Sequence, residues 1–175
     1  HDGPPFTKES YYGLMYKFSF GKKNKNKTTG KFGTGFITTH VLSKTVFISG
    51  DIIKEDNNIT GFTATMYREG KTDEEILSDV DKMNKSFKEQ SNRLNRTAFR
   101  YEIKTMESKQ YAKLGVSNLK KHISYILINC PEIKCITLIE NGKEIVYSAS
   151  KSDENPTIYI VTTTDHTKEE KRFFL

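Results

Sequence analysis

Hydrophobic and polar positions along this chain change period several times, and each change marks an element. Thr7 caps a predicted short helix through Tyr11, Tyr12, Leu14 and Met15. Phe36, Ile37, Val41 and Leu42 then recur at helical spacing behind a glycine turn. Residues 45–50 and 60–68, rich in Thr, Val, Ile and Phe, predict strands, with Asp56-Asn57-Asn58 supplying a turn. Thr72 and Glu75 form a capping box, and Ile76, Leu77, Val80, Met83 and Phe87 make an apolar stripe behind it. That pattern predicts a helix over roughly 73–91. It breaks over 92–98, where a domain boundary is expected.

Beyond the break, residues 99–104 predict a strand. Ser108 is expected to open a second long helix with Tyr111, Leu114, Leu119, Ile123 and Ile126 facing inward, ended by Pro131. Ile136–Glu140, Asn141-Gly142 and Lys143–Ser148 predict a hairpin, because Asn-Gly supplies the positive φ angles of a type I′ turn. Residues 157–164 predict one more strand. The fold class expected is α+β, with one domain over 1–98 and the start of a second over 99–175.

Composition narrows the classes. Of 175 residues, 35% are hydrophobic and 29% charged, and the 11 Phe and 9 Tyr supply much of the surface that a core needs. No apolar run approaches the length of a membrane span, and no signal peptide is visible. The chain opens without Met and ends on Lys-Arg-Phe-Phe-Leu, so it reads as a fragment cut at both ends. Cys130 and Cys135 have no second Cys or His pair at zinc spacing and read as reduced thiols of a cytoplasmic protein. The net charge of +6 suits anionic partners. Much of it lies in Lys17, Lys22, Lys23, Lys25, Lys27 and Lys31, a stretch without acids that predicts a mobile basic loop.

The candidate chemistry sits at the end of that loop, in Gly30-Lys31-Phe32-Gly33-Thr34-Gly35-Phe36. Glycines let the backbone approach a ligand closely, and a following helix offers unpaired N–H groups to an anion. The order is neither that of a P-loop nor that of a dinucleotide fold. His40, His122 and His166 lack Cys, Ser-Asp or metal-type partners in sequence and read as structural or exposed. No metal-ligating set is expected within the chain.

Gly30 to Ser43 resembles the lid-and-helix motif of the GHKL ATPases, nearest to the heat-shock chaperone branch and to bacterial sacsin-like ATP-binding proteins. His1-Asp2-Gly3-Pro4-Pro5-Phe6-Thr7 resembles that superfamily's adenine-binding motif, and the order and spacing of the two motifs fit. The resemblance implies part of a GHKL-type α/β sandwich followed by a transducer-like domain. It implies that Gly30–Phe36 contacts the phosphates of ATP and that residues 17–29 form the lid. His1, Asp2, Gly3 and a strand threonine, Thr63 with Thr60 in reserve, would lie on the adenine side. Gly3 aligns with the motif's first glycine, which sets His1 on the position of the base-reading Asp. Either His1 replaces that Asp or Asp2 reaches the base, and Pro5 stands in place of the second glycine. The catalytic Glu and the magnesium-binding Asn of the family belong to a helix upstream of His1, so Mg²⁺ and catalysis map to no residue here. Implied partners are a nucleotide and, through the full-length protein, a second copy. Two alternatives remain: a scaffold of the same fold that binds no ATP, and a nucleic-acid-associated ATPase of the MORC or MutL type.

Overall fold

The computed structural model describes residues 1–14, 36–153, 158–164 and 171–174. The lid segment 17–29 and Gly30 to Gly35 lie outside the described residues. The chain is α+β and divides into two compact units, His1–Ala112 and Lys113–Leu175.

The first unit is built on a four-stranded antiparallel sheet. Its strands are β1 (Thr45–Ile53), β2 (Ile59–Tyr67), β3 (Lys88–Gln90) and β4 (Ala98–Tyr101), in the order β3-β2-β1-β4. The side-chain period of two puts Val46 and Ile48 of β1 and Phe62, Ala64 and Met66 of β2 on one face. These residues are buried together with Tyr11 from helix α1 (Lys8–Tyr12) and Met83 from helix α2 (Asp73–Ser86). Phe62 stacks on Phe87 at 5.3 Å and meets the Tyr11 ring edge-on at 5.4 Å. Such pairs add about 0.5–1.5 kcal/mol each beyond burial.

Both helix starts follow the sequence. The Thr7 hydroxyl accepts from Ser10 N, and the Thr72 hydroxyl accepts from Glu75 N while the Glu75 carboxylate accepts from Thr72 N. α2, however, stops at Ser86 rather than near 91. Phe87 turns extended, and residues 88–90 pair with Gly61–Thr63 on the free edge of β2. Ser86 fixes the exit, since its hydroxyl accepts from Thr65 N at 2.8 Å. The stripe is also narrower than its periodicity implied: Met83 is buried, but Ile76 and Leu77 are exposed.

The expected boundary at 98/99 moves. β4 pairs with β1 through Val46↔Tyr101 to Ser49↔Ala98, so these residues complete the first sheet. The units divide inside helix α3 (Met106–Asn129), which starts earlier than Ser108 because the Thr105 hydroxyl caps it by accepting from Ser108 N. In the second unit, Ile123, Leu127 and Ile128 of α3 pack on a sheet of order β5-β6-β7-β8. Its strands are β5 (Cys135–Glu140), β6 (Lys143–Lys151), β7 (Ile158–Thr163) and β8 (Lys171–Phe174), the last not anticipated from sequence. Tyr111 and Leu114, expected inward, are exposed. The Asn-Gly hairpin forms as read, with Asn141 at φ 52° and Gly142 at φ 76°.

Asp79 joins the middle of α2 to the turn that follows β2. Its buried carboxylate accepts from Glu69 N and Gly70 N, both at 2.8 Å, and pairs with Lys82 at 3.0 Å. Burial opposes ionisation, but the hydrogen bonds from Gly70 and Lys82 outweigh it and hold the carboxyl below its ordinary pKa. A folded-state pKa below the unfolded one stabilises the fold above the unfolded value and loses that contribution as pH falls. Urea unfolding of Asp79→Asn should therefore show a loss of roughly 1–3 kcal/mol at neutral pH. Below about pH 4 the gap to wild type should narrow. A gap independent of pH would show that the carboxylate charge is not what holds this turn.

Candidate functional site

The N-terminal segment lies against the end of β1, where β4 has departed. Phe6 N donates to Asp51 O and Ile53 N donates to Phe6 O, each at 2.8 Å, forming a parallel bridge at Phe6↔Ile52. At its start the segment meets Thr97. The His1 amino nitrogen donates to Thr97 O at 2.9 Å, and Thr97 N donates to His1 O at 2.7 Å. The imidazole turns back over the motif, where Nδ1 accepts from Gly3 N at 3.2 Å. Asp2 is exposed.

What brings Thr97 there is Asp51. This buried carboxylate accepts from Leu94 N at 2.7 Å and Asn95 N at 3.0 Å, with Arg93 Nε 3.4 Å away. Asn95 takes a left-handed conformation, φ 54°, which asparagine tolerates better than most residues. The loop is thereby folded so that Thr97, itself buried, enters β4 beside His1. Gly50 completes the corner, since a Cβ there would lie 3.2 Å from both a Phe6 ring carbon and Thr97 Oγ1.

The end of the glycine motif reaches the same strand. The Phe36 ring packs against Phe99, centroids 5.1 Å apart, and Phe99 shares a face of β4 with Thr97. A short 3₁₀ helix, Ile37–Val41, follows where an α-helix was expected. Arg68 clasps it to the sheet. Its guanidinium lies 5.6 Å from the Phe36 ring centre and donates to Thr39 Oγ1 and Ser43 O. Burial lowers the Arg68 pKa, with Tyr101 opposing, and its Nε has no hydrogen-bond partner. His40 Nε2 lies 2.8 Å from Arg68 O and His122 Nδ1 2.8 Å from Asn118 O, so both imidazoles serve local structure. His166 lies outside the described residues.

The structure thus joins His1, Gly3 and Phe36 through β4, while Thr63 lies elsewhere. Thr63 pairs with Ser49, whose other neighbour is Ala98, so its side chain is on the opposite face from Thr97. There Thr63 Oγ1 accepts from Gln90 Nε2 at 3.4 Å, and the Thr60 hydroxyl donates to Gln90 O at 2.9 Å. Thr97, which the sequence reading did not single out, is the threonine that lies at this corner. Its one local signal was a place at the head of a strand, just after an Asn-Arg turn.

A cleft of about 600 Å³ opens elsewhere in this unit, walled by Tyr11, Tyr12, Ile52, Ile53 and Phe87. Burial, and Tyr12 beside it, push the Tyr11 hydroxyl up to about 12. Among the described residues, none of the sequence-predicted site residues lines the cleft. Its rim lysines are already matched, Lys8 with Glu55 at 3.3 Å and Lys54 with Glu89, which makes it a poor seat for phosphate. Among the described residues no cluster of three His, Cys, Asp or Glu side chains could hold a metal ion. Both cysteines are free thiols, and no helix among the described residues is long and apolar enough to cross a membrane.

No family model, curated protein or solved structure matches the chain. The corner itself yields a direct expectation. Asp51→Ala strips two part-buried amides of their acceptor and should cost about 1–3 kcal/mol. Hydrogen exchange should show lost protection at Leu94, Asn95 and Thr97 before the core of β1 and β2. Uniform loss across the sheet would mean that Asp51 holds the whole unit rather than this corner.

Proposed function

We propose that this chain is the phosphate-side portion of a GHKL-type ATP-binding domain, a nucleotide-driven conformational switch within a longer protein. The observation that carries the reading is the meeting of the two motifs on one strand. His1 is paired with Thr97, and Phe36, the last residue of the glycine motif, rests on Phe99 two positions along. Segments separated by a lysine-rich stretch are thus anchored side by side, as an adenine-binding turn and a phosphate-binding turn must be.

In this reading the adenine faces the His1–Gly3 turn, with Thr97 taking the part first expected of Thr63. Either His1 or Asp2 addresses the exocyclic amino group. Gly30, Gly33 and Gly35 let backbone N–H groups approach the phosphates, Lys31 adds charge, and residues 17–29 cover the site as a lid. The nucleotide supplies the γ-phosphate bond whose loss releases the lid. The contribution of this chain is to bind and orient, and the Mg²⁺ ligand and water-activating carboxylate belong to the family's preceding helix. Arg68 has a positioning role, because it fixes the 36–43 segment to the sheet. A binding scaffold without nucleotide is the competing reading, and the engagement of His1 Nδ1 by Gly3 N favours it.

Titration of a fluorescent ATP analogue with magnesium separates the two. Binding should saturate in the wild type and weaken about tenfold or more in Gly33→Asp and in Lys31→Ala, the first by steric and charge exclusion and the second by lost attraction. Thr97→Val should weaken it less. Equal affinity in both motif variants would remove the phosphate assignment, and no binding by the intact protein would favour the scaffold.

A further inference from the structure

The second unit ends in an open sheet edge whose chemistry is self-complementary. β5, Lys-Cys-Ile-Thr-Leu-Ile-Glu when Lys134 is included, has a neighbour on one side only among the described residues. Its hairpin register fixes which groups face outward. Glu140↔Lys143 closes a two-residue type I′ turn and is therefore a hydrogen-bonded pair, as are Leu138↔Ile145 and Ile136↔Tyr147. Cys135, Thr137 and Ile139 then aim their N–H and C=O groups away from the sheet. Val146, opposite Thr137, shows the same phase, because its N–H donates to Thr164 Oγ1 and its C=O accepts from Thr164 N on the far side.

Natural edges are blunted by proline, bulges, inward charges or lysine within the strand. The six residues of β5 contain no proline and no lysine, and three of them are Ile136, Leu138 and Ile139. The Ile139 side chain is 70% exposed on the face away from α3.

We infer that β5 is a pairing strand for a second copy of this chain, joined antiparallel about a two-fold axis at Thr137. An axis perpendicular to the sheet keeps like faces together, so opposing residues must share a face. Centred on Thr137, the register sets Thr137 against its twin, Cys135 against Ile139 and Ile136 against Leu138. All outward-facing amides and carbonyls then oppose one another, giving roughly six backbone hydrogen bonds. The same register sets Lys134 of each copy against Glu140 of the other, at both ends of the strand. Glu140 keeps Lys120 as its partner within the chain, and a carboxylate can accept from two ammonium groups. Lys134 gives up only a bond to Pro131 O. Other registers that keep the faces aligned lose this charge match at both ends. The pairing makes one eight-stranded sheet from two four-stranded ones and covers Ile139 with Cys135.

Sedimentation equilibrium of the full chain over a wide concentration range tests this. A monomer–dimer equilibrium is expected. Thr137→Pro should weaken it about tenfold or more, because proline removes an outward donor while leaving the in-sheet bonds intact. Lys134→Glu should weaken it as well, and adding Glu140→Lys should restore it. Amide exchange of the wild type gives a readout that depends on no variant: Cys135, Thr137 and Ile139 should gain protection as concentration rises. A monomer at every concentration, or a dimer indifferent to Thr137→Pro with these three amides still exchanging fast, would overturn the proposal.

Discussion

A buried carboxylate at the end of β1 is the constraint on which the candidate-site corner of the first unit depends. Asp51 uses both ends of the residue. Its side chain gathers the amides of Leu94 and Asn95, and its backbone carbonyl accepts from Phe6. The first contact steers the loop that delivers Thr97 to β4, and the second docks the segment that begins at His1. Neither could be replaced by apolar packing, because part-buried amides left without an acceptor cost more than a methyl group returns. Gly50 and Gly61 make room for these approaches. A Cβ on Gly61 would overlap the Asn92 carbonyl of the same loop.

The parts of the fold that were legible in sequence are those decided within a few residues. Thr7 and Thr72 cap their helices because a hydroxyl placed just before a helix satisfies amides that have no other partner. Asn141-Gly142 turns as read because its backbone angles are set locally. The errors are of another kind. Periodicity carried α2 through Phe87 toward 91, but the free edge of β2 offered residues 88–90 better partners. Ile76 and Leu77 lie on the helical stripe yet remain exposed, because the sheet meets only the later part of the helix. The antiparallel pairing of β1 with β4 also puts Thr97 at the corner, a placement set by partners distant in sequence and only weakly signalled locally. Of the candidate site, the anchoring of His1, Gly3 and Phe36 can be read in the structure, and Gly30 to Gly35 lie outside the described residues.

The inner strand β1 of the first sheet and the outer strand β5 of the second are covered differently. In the first, β1 is completed on one side by β4 and then by the N-terminal segment, so its hydrogen-bonding groups are used along its length. In the second, β5 keeps a side free of any described neighbour, with exposed Ile139. A charged, polar chain with 28 lysines and arginines gains solubility from that composition, but none of the charge falls inside β5 before Glu140.

The central claim is that the His1 turn and the glycine motif form one site across β4. Backbone NMR of the isotopically labelled chain during titration with a magnesium complex of a non-hydrolysable ATP analogue tests it most directly. The account predicts saturable shifts at Gly3, Phe36, Thr97 and Phe99 with a common midpoint, and no shifts at Tyr12 or Ile53 in the separate cleft. Shifts confined to that cleft, or different midpoints for Thr97 and Phe36, would contradict it.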